Sequence, residues 1–381
     1  MQNPERYLGR DCMLAAYEGE YSDRVPVAPE FWYYIPARIL GIPMVTLELE
    51  VPHWQALQQT FQHYRCEGWG IVGPPLPADY GGTRSTTVKR ISATQYEQVT
   101  TLTAGKRSLT MRKIYTESEP SWITERPVKD FVADWQIYER MTLVPPAYLD
   151  WTAVQHALDT VATDYLLEVF VGFPFVDFAG EPRQGGLQQV ILDLYDHESE
   201  MRALQKRYIV YLQDLIEAVF QHTTARSVFV ASSWSTLSLL SPAIWRQWEK
   251  PVLVAAVDAA HACGGLIHHH FHGRCSQVLP ELAGIGLDCL CPFERPPGGD
   301  VTDLAVVRKL LDGKTTFNGN VHTVETLIRG TPDDVRREVQ EILQVFHGDP
   351  RLIVGTGDQV GAETPDANIY AMIETVQQWE R

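Results

Sequence analysis

Six times between residues 150 and 358, a stretch with helical spacing runs into a short apolar strand. Helices are expected around 150–165, 197–221, 242–263, 276–285, 302–312 and 332–347. They precede "LLEVFVGFPFV", "SVFVASSW", "GGLIHHHFHG", "LDCLCPFE", "TTFNGNV" and "RLIVGTGD", and a last helix is expected around 365–379. Most of these strands are near-continuous runs of Val, Ile, Leu and Phe, the pattern of strands covered on both faces. Helix and strand in regular alternation imply a parallel sheet sheathed by helices. Upstream, "RVPVAPEFWYYIP" reads as a proline-punctuated strand entering an aromatic loop. "EVPHWQALQQTFQHYRCEGWGIVGPP" reads as a helix ending near Gly68 and a strand through Ile71 and Val72. With these two, about eight strands are expected. That number favours a closed (β/α)8 TIM barrel, an α/β fold, over an open doubly wound sheet. The chain has neither a Gly-x-Gly-x-x-Gly turn nor a Gly-Lys-Ser/Thr phosphate loop, which disfavours dinucleotide and nucleotide-phosphate enzymes.

One segment breaks the alternation. Residues 86–116 are rich in Thr, Val, Tyr and Ile, with Ala-Gly-Lys between two runs, and read as an inserted antiparallel hairpin. The opening stretch, with Leu8, Met13, Leu14 and Ala15 at helical spacing, reads as an amphipathic helix. Residues 1–381 are expected to form one domain, since a barrel fills such a length alone.

The formal net charge of −16 disfavours nucleic-acid and anionic-membrane partners, both of which are bound through clustered Lys and Arg. No run approaches the ~18 apolar residues of a membrane span, and the N-terminus lacks a signal-peptide pattern. Six scattered cysteines do not make a disulfide framework, so a reducing cytoplasm is the expected location.

In a barrel, chemistry sits at the C-terminal ends of the strands. There this chain places His270 and His272, Glu294, Asn318 and Asn320, and Asp358. Side chains on a strand alternate with period two, so in "HHHFHG" His268, His270 and His272 share one face and His269 points away. His-x-His on a strand with carboxylates from neighbouring strand ends suits a divalent first-row metal. His270, His272, Asp358 and Glu294 are the candidate ligands, and Glu294 and Asn320 the candidate catalytic residues. Glu294 has a second reading as a surface partner of Arg274 or Arg295, and Asp358 as a capping residue. Cys275 is set aside, and Cys289 and Cys291 are expected to pack the barrel. Phe31, Trp32, Tyr33 and Tyr34, with Trp234, are candidates for an apolar substrate wall, with packing an equal alternative.

These motifs resemble the uroporphyrinogen decarboxylase-like superfamily, which contains the decarboxylase and the zinc-dependent methyltransferases that work with corrinoids and thiols. The resemblance runs from "RDCMLAAYEGEYSDRVPV" through "LLSPAIWRQWEKPVLVAAVDAAHACGGLIHHHFHG" to "FNGNVHTVETLIRGTPDDVRREVQEIL" and "RLIVGTGDQVGAETPDANIYAMIETV". It implies a (β/α)8 barrel with the site at its C-terminal mouth. The decarboxylases carry an arginine-bearing "MRQAGRY"-like loop where this chain has "APEFWYYIP". That departure points to the methyltransferase branch and away from a polyanionic porphyrinogen. The branch's zinc-binding His-x-Cys-Gly corresponds to "HFHG", so His270 keeps the histidine and His272 replaces the cysteine. The distal Gly-Cys corresponds to "GTGD", so Asp358 replaces the second thiolate, and Glu294 falls where relatives place a glutamate near the metal.

The resemblance implies a metal-dependent methyltransferase that acts with a corrinoid on a partner protein to demethylate a small methoxylated or methylated substrate. The alternative is a metal-dependent decarboxylase or other lyase acting on a small non-porphyrin substrate. Zinc is the expected metal, and with both thiolates replaced iron, manganese, cobalt and nickel stay open. The oligomeric state is also open, a homodimer among the options.

Overall fold

The computed structural model describes residues 9–380, so Leu8 lies outside the described residues. The first two strands, β1 (Val27–Ala28) and β2 (Trp69–Val72), belong to a parallel sheet. The next four form a separate antiparallel sheet: β3 (Thr83–Arg90), β4 (Gln95–Ala104), β5 (Arg107–Thr116) and β6 (Trp122–Glu125). The chain then returns to the parallel sheet with β7 (Leu166–Gly172), β8 (Ser227–Ser232), β9 (Leu266–Phe271), β10 (Cys289–Cys291), β11 (Thr316–Val321) and β12 (Leu352–Thr356). The parallel order is β1-β12-β11-β10-β9-β8-β7-β2. Sequential neighbours around a curled eight-stranded sheet define a TIM-barrel-like α/β fold.

The hydrogen-bonded ladder stops between β1 and β2, and the sequence around β1 supplies the reason. Val27 and Ala28 stand between Pro26 and Pro29, which have no N–H to donate. The Val27 N–H is given to the Glu67 carboxylate at 3.0 Å instead of a backbone carbonyl of β2. Glu67 is in turn held by Arg24 at 2.6 Å, so a side-chain bracket stands at the seam.

The expected hairpin is the β4–β5 pair, turned at Gly105, whose φ of 63° requires the left-handed region. It is part of a larger sheet, since β3 pairs along β4 and β6 along β5. The β3 side chains are mostly exposed, so no apolar alternation marked that strand.

The helix expected over 242–263 is interrupted by a π turn at Trp245–Glu249 and resumes at Lys250–Ala262. Pro251 cannot donate to the carbonyl one turn back. The Gln247 and Trp248 carbonyls are satisfied from outside the helix, by the Gln205 amide at 3.4 and 2.8 Å. The turn directs Glu249 inward, where it accepts the Val176 N–H at 3.1 and 3.2 Å and caps the short helix Phe175–Gly180. Burial pushes the Glu249 carboxyl up to about 8, and the nearby Asp177 charge adds to the effect.

The sheet interior is filled. His268 lies level with Phe229 of β8 and Cys289 of β10, and His270 with Ala231 and Cys291. The helix Gly9–Glu18 closes the N-terminal end with Met13, Leu14, Ala16 and Tyr17. The rings of Tyr17, Trp69 and Phe229 stand edge-on around His268 at 5.7, 4.8 and 4.9 Å. A cavity opens towards the C-terminal ends of the strands, where the polar residues gather.

Candidate metal centre

Strand β9 delivers the histidines as period two requires. His268 and His270 face the interior, whereas His269 turns outward, its Nδ1 at 3.0 Å from the Val230 carbonyl and its Nε2 at 3.3 Å from Ser232 Oγ. His272 lies just past the strand end, its side chain 42% exposed, at the mouth of the curled sheet. The ring planes of His270 and His272 are nearly parallel, with centroids 6.3 Å apart. Asp358, two residues after β12, reaches across. Ligand atoms of His270, His272 and Asp358 all lie within 4.8 Å of one another. His272 Nδ1 stands 3.3 Å from Asp358 Oδ2. That contact is a hydrogen bond of the ring, and the convergence of two imidazoles and a carboxylate within so short a span suits a divalent cation bonded at about 2.0–2.3 Å.

Glu294 is placed differently. Its Oε1 lies 2.7 Å from His272 Nδ1 and accepts the Gly273 N–H at 2.6 Å, both hydrogen-bond distances. In this position it holds and orients His272, the role a carboxylate plays behind a metal-binding imidazole. Asn320 lies deeper, fully buried, its Nδ2 donating to the Phe293 carbonyl at 2.8 Å. It does not line the cavity at the mouth.

The charges follow from this packing. Donating to the carboxylates of Asp358 and Glu294 holds His272 well above its ordinary value, at about 10. His270, cut off from water, is pushed down to about 4. Burial would raise Asp358, but its bond to His272 and the two imidazoles keep it below the usual carboxylate range.

The glycine of "HFHG" is required here. Gly273 has φ of 76°, and a Cβ on it would lie 2.2 Å from Ser238 Oγ. A Gly273→Ala variant is expected to lose about 1–3 kcal/mol of stability. The urea-unfolding midpoint checks it, and an unchanged midpoint would show that the turn is not constrained.

The cavity at the mouth, about 430 Å³, is bounded by Trp32, Tyr33, Ile71, Phe170, Phe173 and Phe229 on one side. Glu30, His270, His272 and Asp358 form its polar end. Of the five aromatic candidates, Trp32 and Tyr33 thus reach the cavity. Phe31 does not: it is buried and stacks on Tyr64 at 5.2 Å. Tyr34 begins the helix Tyr34–Leu40 and bonds Glu119 at 2.8 Å. Trp234 lies under the Arg126 guanidinium, 5.3 Å from its ring centroid, in a separate surface cleft.

Three residues of the site were not singled out from the sequence. Glu30, two residues past β1, lies against His270 and Asp358. Its Oε1 accepts from Trp32 Nε1, and burial, with Asp358 next, pushes its carboxyl well up. Glu168, an acid inside apolar "LLEVFVG", is fully buried and accepts from His268 Nδ1 at 2.8 Å. Cys291 packs the interior as expected of a free cysteine, but it also stands 3.1 Å from His268 Nε2 and 3.4 Å from His270 Nδ1. An acid in an apolar strand and a polar residue at a strand end were the available signals.

With fold and site described, the relatives can be placed. The model of the family described as Uroporphyrinogen decarboxylase (URO-D) matches residues 117–379. The chain belongs to this family. It is 27% identical over 246 residues to the uroporphyrinogen decarboxylase of Thermus thermophilus, covering 59% of this chain and 65% of that protein. The corresponding protein of an Azoarcus species is 23% identical over 270 residues, covering 68% and 70%. Among solved structures, a methyltransferase from Methanosarcina mazei superimposes with a TM-score of 0.63 over 98% of this chain and 99% of its own, at 16% identity. At that identity the likeness speaks for the fold. Among the described residues no helix is long and apolar enough to cross a membrane.

Proposed function

We propose that the chain is a metal-dependent methyltransferase on a closed barrel, acting with a corrinoid methyl carrier on a separate protein to demethylate a small methoxylated or methylated substrate. The observation that carries this reading is the convergence of His270, His272 and Asp358 at the polar end of an aromatic-walled cavity. A bound divalent cation, zinc in the first instance, would supply Lewis acidity towards the acceptor or the leaving oxygen. Trp32, Tyr33, Phe170 and Phe229 would clasp the apolar body of the substrate and keep water from its reacting end. Glu294 would fix the His272 ring through Nδ1, and Gln359, whose N–H donates to Asp358 Oδ1 at 2.7 Å, would fix the carboxylate.

The curated relatives favour a second reading, a lyase that releases carbon dioxide. Among the described residues the cavity walls carry two carboxylates and no Arg or Lys, which argues against a polyanionic porphyrinogen and leaves a small non-porphyrin acid. Incubation of the zinc-loaded protein with a methylated corrinoid and candidate acceptors separates the two. The proposal expects turnover to require the corrinoid. Carbon dioxide release in its absence would favour the lyase.

A further inference from the structure

Behind the mouth cluster lies a second set of ligand-competent atoms. Glu30, His270 and Cys291 also bring one donor each within 4.8 Å of one another. Cys291 Sγ stands 3.4 Å from His270 Nδ1, and Glu30 Oε2 stands 3.9 Å from the same nitrogen. The carboxylate separation exceeds a good hydrogen bond, and both separations approach the spacing of ligands around one tetrahedral ion.

Glu30 and Cys291 are buried and supported from behind. Glu30 is 5% exposed, its other oxygen is taken by Trp32 Nε1, and its N–H donates to Thr356 Oγ1 at 3.0 Å. Cys291 is held by His268, which is fixed in turn by Glu168; Ser227 Oγ donates to the second oxygen of Glu168 at 2.8 Å. A buried carboxylate converging with a thiol and an imidazole is a set that a cation would satisfy.

We propose that Glu30, His270 and Cys291 form a deeper seat for a thiophilic divalent cation, adjoining the mouth seat and sharing His270 with it. The thiol makes this seat softer than the mouth set of two imidazoles and a carboxylate, so it selects zinc, cadmium or cobalt over magnesium or calcium. Coordination replaces the S–H bond by a sulfur–metal bond. The proton passes to His268 Nε2, whose Nδ1–H stays on Glu168. Both seats draw on the His270 ring. The inference rests on the metal reading of the mouth but fails separately from it.

The test uses cobalt(II) added to chelator-stripped, tag-free protein and monitored by absorbance. The wild type is expected to show visible cobalt bands together with a near-ultraviolet sulfur-to-cobalt charge-transfer band. Cys291→Ser is expected to lose the charge-transfer band while keeping visible bands from the mouth seat. In a His272→Ala/Asp358→Ala variant, which alters only the partly exposed mouth, the charge-transfer band is expected to persist. Adding Cys291→Ser to that variant should weaken cobalt binding by at least about 10-fold. Cobalt bound by the wild type without the band, or a band that survives Cys291→Ser, overturns the deeper seat alone. Absence of cobalt binding in the wild type overturns both seats.

Discussion

Chelator-stripped His270→Ala protein is expected to bind zinc at least about 100-fold more weakly than the wild type. Even a residue that merely orients a metal ligand typically contributes 10–100-fold to affinity, and His270 would be a ligand itself. It is the one residue common to both groups of converging donors. Its ring is buried at the end of β9, level with Ala231 and Cys291. Burial holds the imidazole neutral to about 4, so its lone pair is free for a cation across the physiological range. Equilibrium dialysis measures the affinity. His270→Gln, closer in size, separates loss of a ligand from loss of packing: the affinity should fall in both variants. Equal affinity in wild type and both variants would remove His270 from the site.

The second large effect is on stability. Glu249→Gln is expected to flatten the decline of folding stability between pH 5 and pH 8. Below its ordinary value of 4.5, Glu249 is protonated in folded and unfolded chains alike, and it adds no pH dependence there. Between 4.5 and about 8 the unfolded chain releases the proton while the folded protein keeps it, so stability falls as pH rises. Above about 8 the loss is complete. At about 1.4 kcal/mol per pH unit the full shift corresponds to at most about 5 kcal/mol. Glutamine keeps an oxygen for the Val176 N–H and has no proton to lose. Urea unfolding of both proteins at pH 5 and pH 8 gives the comparison. Parallel declines would show that Glu249 does not ionise across this range.

The long helices and the strands from β7 onward were legible because each carries a period and a length. The helix expected over 197–221 is Glu198–His222, and that over 332–347 is Pro332–Val345. The π turn at Trp245 was not legible, since its cause is Pro251 acting together with Gln205 on a different helix. Nor was the open ladder beside β1, which depends on Glu67 reaching Val27 from a distant loop.

In the site, period two fixed which histidines face inward but not how deep they lie: His268 and His269 are both fully buried. Glu294 was read as a ligand by its position on the chain; only the geometry shows it hydrogen-bonded behind His272. Cys291 was assigned to packing because a buried cysteine usually packs. Its second role depends on Glu30 and Glu168, which come from β1 and β7 and share no local pattern with it.

The central claim is that this chain holds a divalent cation at the C-terminal mouth of its curled sheet. The most direct measurement is the metal content of the protein purified without a polyhistidine tag, by inductively coupled plasma spectrometry. The account predicts about one zinc or other first-row cation per chain, removed by a chelator and restored by zinc. Protein that arrives without stoichiometric metal, and takes up none when zinc is supplied, would contradict it.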